Sequence, residues 1–145
     1  MKYPGKKDMG RFDVEMTISN NRDVQLSEAG ALPKHKVRRL KVRGLVDLGA
    51  NWLVLPKKVA VQLGLQEIGD IKVRYADHRS AKRKMVEEVR VELLGRHGTF
   101  TAIVEPGRDT ALIGAILMEA LDLLVDCGTQ QLRPRDPHTV TAEIE

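Results

Sequence analysis

The chain has 145 residues, of which 42% are hydrophobic and 30% charged, a composition typical of a single soluble domain rather than a disordered segment. It contains no run of 18 apolar residues, and its first ten residues, MKYPGKKDMG, lack the apolar core of a secretory signal, so we expect neither a membrane partner nor a leader. Cys127 is the only cysteine, which excludes an intrachain disulfide and a cysteine-based zinc site and favours a cytoplasmic location.

The formal net charge of +4 raises the question of nucleic-acid binding. Basic residues cluster in residues 34–43 and 79–84, but the 24 basic residues of the chain are interspersed with 20 acidic ones. Such clusters are more often solvated faces than phosphate-binding stripes, and the five aromatic residues show no paired stacking pattern. Nucleic acid is therefore an unlikely partner, although a small basic nucleic-acid-binding β protein remains an alternative.

The first half of the chain shows mainly strand patterns. Alternating apolar residues predict a strand over residues 12–18, and further extended runs cover residues 37–47 and 52–55. Residues 20–23 are predicted as a turn and residues 24–34 as a loop. Pro56 suits the first turn of a short helix, which the spacing of Val59, Ala60 and Leu63 supports and Gly64 ends.

The second half continues the β pattern. Residues 68–75 and 79–94 form the clearest hairpin, with its bend at residues 76–79. The remaining predicted elements are a turn at 95–98, strands at 99–104 and 111–113, a helix at 115–121 with Ile116, Leu117 and Ala120 on one face, and a strand pair at 123–126 and 130–133. We therefore predict one mostly-β domain over residues 11–133, between a polar N-terminal segment (1–10) and a polar C-terminal tail (134–145).

The sharpest local motif is an aspartate at the end of an apolar run, in the sequence Gly44-Leu45-Val46-Asp47-Leu48-Gly49-Ala50. A carboxylate in such a segment has to be paired, hydrogen-bonded or protonated, because burial of an isolated charge is costly. Two interpretations stay open: a functional carboxylate, or an aspartate whose side chain caps a turn.

Three elements in order resemble the retropepsin-like aspartic peptidases, in particular their small stand-alone bacterial members. The elements are Val46-Asp47-Leu48-Gly49-Ala50, then residues 52–56, then Ala111-Leu112-Ile113-Gly114 before a helix. The family has Asp-Thr/Ser-Gly-Ala first, two apolar residues followed by Gly later, and a flap hairpin between them, where residues 76–79 lie here. The resemblance covers residues 12–133. It implies an acid-protease barrel or sandwich with two short helices, which forms half of a homodimer.

The resemblance also implies a mechanism and a set of site residues. Each subunit contributes one catalytic Asp47, and the two carboxylates share a proton and activate a water against a peptide bond, without cofactor or metal. The implied substrate is a polypeptide. The residues expected to bind it are Gly49, Ala50, Ala76, Asp77 and His78.

Leu48 departs from the family pattern, because the family has a Thr or Ser whose hydroxyl bonds across the dimer at this position of the dimer loop. Leu48 cannot make that hydrogen bond. The alternative function is therefore a catalytically weak or inactive peptide-binding or dimerisation module on the same fold.

Other candidate residues have simpler interpretations. The four histidines are scattered without ligand spacing, so no metal site is expected. Cys127 is predicted to be a buried structural thiol, and Asp109 and Asp126 are predicted to be turn residues. Trp52 is predicted to pack in the core, with a pocket lining as the alternative.

Overall fold

A computed structural model describes residues 11–145, so the predicted polar segment 1–10 lies outside the described residues. Within the described part, nine strands alternate with three short α-helices. The strands are β1 (Arg11–Asn20), β2 (Arg39–Asp47), β3 (Leu53–Pro56), β4 (Glu67–Arg74), β5 (Ser80–Leu93), β6 (Arg96–Glu105), β7 (Ala111–Ile113), β8 (Leu123–Asp126) and β9 (Gln131–Pro134). The helices are α1 (Asn21–Glu28), α2 (Lys57–Gln62) and α3 (Ala115–Ala120), with a 3-10 turn at Lys34–Lys36.

Six of the strands close into a barrel in the order β1-β2-β7-β3-β6-β5, because β1 also pairs with β5. In the barrel, β2 runs parallel to β7 and β3 runs parallel to β6, whereas β3 and β7 are antiparallel. Within residues 11–145, β4 pairs only with β5, so the β4–β5 hairpin leaves one strand edge of β4 open. The mostly-β prediction is confirmed.

The barrel interior is filled by aliphatic residues of the predicted strands. Met16 and Ile18 of β1, Val46 of β2 and Leu55 of β3 are between 0% and 2% exposed. Burial of each such side chain contributes roughly 1.5–3 kcal/mol, so the core does not need aromatic residues. No helix among residues 11–145 has both the length and the apolar character needed to cross a bilayer.

The largest correction concerns residues 20–34, which were predicted as a turn and a loop but contain helix α1. Asn20 caps the helix, since its side-chain oxygen accepts hydrogen bonds from the backbone N–H groups of Arg22 (3.0 Å) and Asp23 (3.2 Å). Asp23, in turn, accepts hydrogen bonds from the backbone N–H of Arg38 (3.0 Å) and from its guanidinium (2.8 and 3.0 Å). The helix is held by polar contacts and has no apolar stripe, so the hydrophobic pattern missed it.

Two smaller corrections follow from tertiary packing. In α3, Leu117 is buried as predicted, but Ile116 is 47% exposed and Met118 takes the inner position, because the helix packs through a different face. The predicted turn at residues 95–98 is a two-residue turn at Leu94 and Gly95, whose φ angles of +54° and +77° suit a tight hairpin. Strand β6 therefore begins earlier than predicted.

The C-terminal tail is attached to the barrel end by polar contacts of one buried aspartate. Asp122 binds the guanidinium of Arg135 (2.8 Å) and accepts a hydrogen bond from the backbone N–H of Thr141 (3.0 Å). The Thr141 hydrogen bond, assisted by Arg135, lowers the pKa of Asp122.

Candidate functional site

Asp47 is the last residue of β2, and its side chain is 23% exposed. Its Oδ1 atom accepts a hydrogen bond from the backbone N–H of Gly49 (2.9 Å), and its carbonyl oxygen accepts one from the N–H of Ala50 (3.2 Å). A Cβ atom at Gly49 would lie 3.3 Å from the same Oδ1 atom. Asp47 therefore caps a tight turn through its side chain, as one of the two interpretations predicted, and it remains accessible to solvent.

The second carboxylate oxygen of Asp47 faces a cation. The Nη2 atom of Arg11, which is the register partner of Asp47 across β1 and β2, lies 3.6 Å from Oδ2. The Arg11 side chain is 48% exposed, so it can move away without disturbing the core. One oxygen of Asp47 is thus fixed by the backbone, and the other is available to a mobile partner.

The loop after Asp47 is supported by the unit that β7, Gly114 and α3 form. Parallel pairing of β2 with β7 aligns Val46 with Ile113 and brings the ends of the two strands together. The N–H groups of Ala115 and Ile116 donate hydrogen bonds to the carbonyl oxygens of Ala50 (2.9 Å) and Asn51 (3.0 Å). The sequence motifs around Asp47 and Gly114 are therefore neighbours in the fold.

A cleft of about 620 Å³ lies beside this loop, between the barrel and the β4–β5 hairpin. Gly49 and Ala50 form one end of it. Its apolar base, which we call the cleft floor, consists of Trp52, Val54, Ile103 and Leu112. Register pairing explains the floor, because Val54 of β3 lies between Leu112 of β7 and Ile103 of β6.

The opposite wall of the cleft is the hairpin arm, which we define as residues 67–84. Ile71, Val73 and Tyr75 of the arm line the cleft. The arm is fixed to β6 through Glu105, which accepts hydrogen bonds from the hydroxyl of Tyr75 (2.6 Å) and from Nε of Arg83 (2.7 Å). The bond to Glu105 raises the pKa of Tyr75.

The tip of the arm has the predicted bend at residues 76–79. The N–H of Tyr75 donates to the carbonyl of Arg79 (2.9 Å), and His78 adopts a left-handed conformation with φ of +69°, which His tolerates better than most residues. Asp77 accepts hydrogen bonds from the backbone N–H (3.0 Å) and Nε (2.6 Å) of Arg79, and the side-chain bond lowers the pKa of Asp77. The Arg79 guanidinium lies 5.0 Å from the centre of the Tyr75 ring. The tip is thus stabilised by its own side chains.

The structure brings only part of the predicted site together. Gly49 and Ala50 line the cleft, whereas Ala76, Asp77 and His78 are exposed at the tip and do not line it. Tyr75 and Arg79, on either side of them, take that place. Alternation along the arm could have predicted that Tyr75 lines the cleft. The contacts of Glu105 with Tyr75 and Arg83 depend on the tertiary structure and could not be predicted in this way.

The remaining candidates are placed as follows. Leu48 is 51% exposed next to Asp47. Trp52 is half-buried and lines the cleft, which corrects its prediction as a core residue. Cys127 is exposed, which is also a correction, because it lies in the turn after β8 rather than in a strand. Asp126 is a turn residue as predicted, since its Oδ1 accepts hydrogen bonds from two backbone N–H groups (3.0 and 3.1 Å).

Among residues 11–145, no group of three or more His, Cys, Asp or Glu side chains is arranged to hold a metal ion. Comparison of the chain with protein-family models gives no match, and comparison with curated proteins gives none either. What the site can do chemically follows from its geometry: a partly exposed carboxylate, with one oxygen held by the Gly49 N–H and the other paired with the exposed Arg11, lies two residues before Gly49, which lines the cleft.

Proposed function

We propose that this chain is an aspartic-type endopeptidase with a retropepsin-like fold, whose active unit is a homodimer with one Asp47 from each subunit. The observation that carries the proposal is the partly exposed Asp47 carboxylate, held by the Gly49 N–H at 2.9 Å beside a cleft covered by a hairpin. The ordered motifs at Asp47 and Gly114, which are adjacent in the fold, support it further.

In the proposed dimer, the two Asp47 carboxylates meet at a twofold axis and share one proton, as is well known for aspartic-protease dyads. The partner carboxylate replaces Arg11 beside Oδ2, which the 48% exposure of Arg11 allows. The ionised carboxylate removes a proton from a water molecule, and the resulting hydroxide attacks the scissile carbonyl. The protonated carboxylic acid polarises that carbonyl and then protonates the leaving amine.

The substrate is proposed to be an extended polypeptide. The open edge of β4 offers unpaired backbone N–H and C=O groups to an added strand, and the cleft floor accepts apolar side chains. The hairpin arm, fixed through Tyr75 and Glu105, covers the substrate and limits access of bulk water.

A second candidate function, a catalytically weak or inactive peptide-binding or dimerisation module, is favoured by Leu48. Its side chain lacks the hydrogen-bonding group of the Thr or Ser in the family, and misplacement of a catalytic group by about 1 Å can reduce the rate about a hundredfold. The 51% exposure of Leu48 is compatible with an apolar contact between two copies of the loop, which is how the active dimer is proposed to replace that hydrogen bond.

The decisive experiment measures cleavage of a chemically unfolded protein by the wild type and Asp47→Asn across acidic to neutral pH, with sedimentation to monitor the dimer. Asn keeps the oxygen that binds the Gly49 N–H, so the loop should persist while cleavage falls at least about a hundredfold. Asp13→Asn is the matched control, because Asp13 lies on β1 outside the cleft in an exposed pair with Arg43. Equal cleavage by Asp47→Asn and wild type rules out the proposed mechanism.

Leu48→Thr separates the two candidate functions. If the wild type is a dimer that does not cleave protein and Leu48→Thr does cleave it, the result supports the inactive module. Cleavage by the wild type itself supports the peptidase. Retention of nucleic acid that weakens steeply with salt favours the nucleic-acid alternative instead.

A further inference from the structure

Charged side chains around the cleft are strongly unbalanced in sign. Among the described residues, five cationic side chains and one carboxylate, that of Glu105, line it together with the apolar floor. The cationic residues are Lys72, Arg74, Arg79, Arg83 and Arg108.

Two of these cations are neutralised within the protein. Arg83 pairs with Glu105 at 2.7 Å, and Arg79 pairs with Asp77 at 2.6 Å. These pairs hold the hairpin arm and its tip, so they belong to the framework of the cleft.

The other three cations make no ion pair within residues 11–145. Among the described residues, the Arg108 side chain donates hydrogen bonds only to the carbonyl (3.0 Å) and hydroxyl (3.4 Å) oxygens of Thr110, which are neutral groups. Lys72 and Arg74 are exposed on β4. By contrast, Lys84 on the neighbouring strand β5 is paired with Asp70 at 2.9 Å. Three uncompensated positive charges therefore border the cleft, at a site where an anionic ligand would reduce their mutual repulsion.

The position of two of these cations on β4 relates them to a bound strand. Along β4, the half-buried Ile71 and Val73 alternate with the exposed Lys72 and Arg74. A strand added to the open edge of β4 would place its own side chains opposite these two sets alternately, because side chains alternate along both strands. Apolar side chains of the ligand would meet Ile71, Val73 and the floor, and acidic ones would meet the cations.

We propose that the cleft selects extended polypeptide segments in which acidic side chains alternate with apolar ones. The preference rests on the proposed peptidase function for its catalytic use, but peptide binding can be measured without catalysis. Lys72, Arg74 and Arg108 are the residues that determine the charge preference, and the floor determines the apolar one.

A polypeptide fits the cleft better than a nucleic acid. The floor has three aliphatic side chains and one aromatic, Trp52, whereas single-stranded nucleic acids bind to successive aromatic platforms. The other aromatic side chain, Tyr75, has its hydroxyl bound to Glu105 and the Arg79 guanidinium near its ring.

The test uses the full-length Asp47→Asn variant, which can bind without cleaving, and a fluorescent peptide of alternating Glu and Val. Matched peptides carry Gln or Lys in place of Glu. We expect the Glu peptide to bind more tightly than the Gln peptide by up to about fivefold for each pair formed, and the difference to shrink as salt rises. The Lys peptide should bind most weakly.

Variants in the Asp47→Asn background assign the preference to the cleft. Adding Lys72→Glu and Arg74→Glu should reverse the order of the Glu and Lys peptides. Adding Arg39→Glu and Lys41→Glu should preserve the order, because both residues are exposed on β2, neither lines the cleft, and the pair of substitutions changes the net charge by the same amount.

Equal affinity for the Glu and Gln peptides overturns the acidic preference. Displacement of the fluorescent Glu peptide by a lower concentration of oligothymidylate than of unlabelled Glu peptide overturns it as well. These failures are separate from failure of the peptidase proposal, which shows as equal cleavage of unfolded protein by the wild type and Asp47→Asn. If neither the Glu nor the Gln peptide binds, the cleft is not a peptide site and the inference falls.

Discussion

Replacement of Gly114 by alanine tests the contact that supports the Asp47 loop. An added Cβ atom would lie 2.5 Å from the carbonyl carbon of Asn51, 2.6 Å from its oxygen and 2.7 Å from the carbonyl oxygen of Trp52. These are backbone atoms of the loop, so the overlap cannot be relieved by rotation of a side chain. The chain has to separate α3 from the loop.

The cost of that separation can be estimated from its parts. Overpacking against a fixed backbone costs about 1–3 kcal/mol. The hydrogen bonds from Ala115 and Ile116 to the loop contribute about 0.5–1.5 kcal/mol each. Reduced flexibility of the unfolded chain returns about 0.4–1 kcal/mol. We therefore expect Gly114→Ala to lower the free energy of unfolding by about 3 kcal/mol.

Urea denaturation of Gly114→Ala and of Gly107→Ala provides the measurement and its control. A Cβ atom at Gly107 meets no heavy atom of residues 11–145 within 4 Å, so that variant should keep the stability of the wild type or gain up to about 1 kcal/mol from the reduced flexibility of its unfolded chain. With a slope of about 2 kcal/mol per molar urea, the Gly114→Ala midpoint should fall by about 1.5 M. Equal midpoints for the two variants would falsify the close packing of α3 on the loop.

Three further predictions concern polar contacts. Asp23→Asn should lower the free energy of unfolding by about 2 kcal/mol at neutral pH. The hydrogen bond from Arg38 lowers the pKa of Asp23, so the stabilisation is present above the ordinary pKa of 3.8 and is lost as the pH falls through the pKa of the folded state. The difference in stability between the variant and the wild type should therefore shrink in acid. In an ultraviolet pH titration, the phenol that Tyr75→Phe removes should be one that ionises above 10.0 in the wild type, because the hydrogen bond to Glu105 raises the pKa of Tyr75 and the neutral phenol stabilises the arm below this pH. Loss of a phenol that ionises at or below 10.0 contradicts the contact. Asn20→Ala should lower the free energy of unfolding by about 1 kcal/mol or more, measured in urea, because it removes the cap of α1.

Asp13→Asn is the matched control for Asp23→Asn. Asp13→Asn removes an exposed carboxylate in a pair 3.4 Å long and should leave stability and its pH dependence nearly unchanged. If Asp13→Asn and Asp23→Asn behave alike in acid, the contacts of Asp23 do not determine the acid response.

Local sequence patterns predicted much of the fold. The alternation in residues 12–18, the hairpin with its bend at 76–79 and the glycine that ends α2 are local features, and each is present in the structure. Helix α1 was missed because its stability comes from Asn20 and from Arg38, which lies outside the helix in sequence. Propensity and periodicity do not register such contacts.

The candidate site shows the same division. The motif around Asp47 identified the carboxylate and its turn, since the Gly49 N–H that binds it is two residues away. The residues predicted to bind substrate at the tip of the hairpin do not line the cleft, whereas the neighbouring Tyr75 does, with its hydroxyl bound to Glu105 on another strand.

The sequence by itself determined the β class, the succession of most strands along the chain and the place of a carboxylate at a strand end, because these depend on alternation and on contacts between near neighbours. Only the tertiary structure decided that β1 closes the barrel on β5, that Gly114 packs on the loop after Asp47, and that uncompensated cations gather around an apolar floor. These features join residues far apart in the chain, and their energies depend on distance in space, which residue spacing along the sequence does not specify.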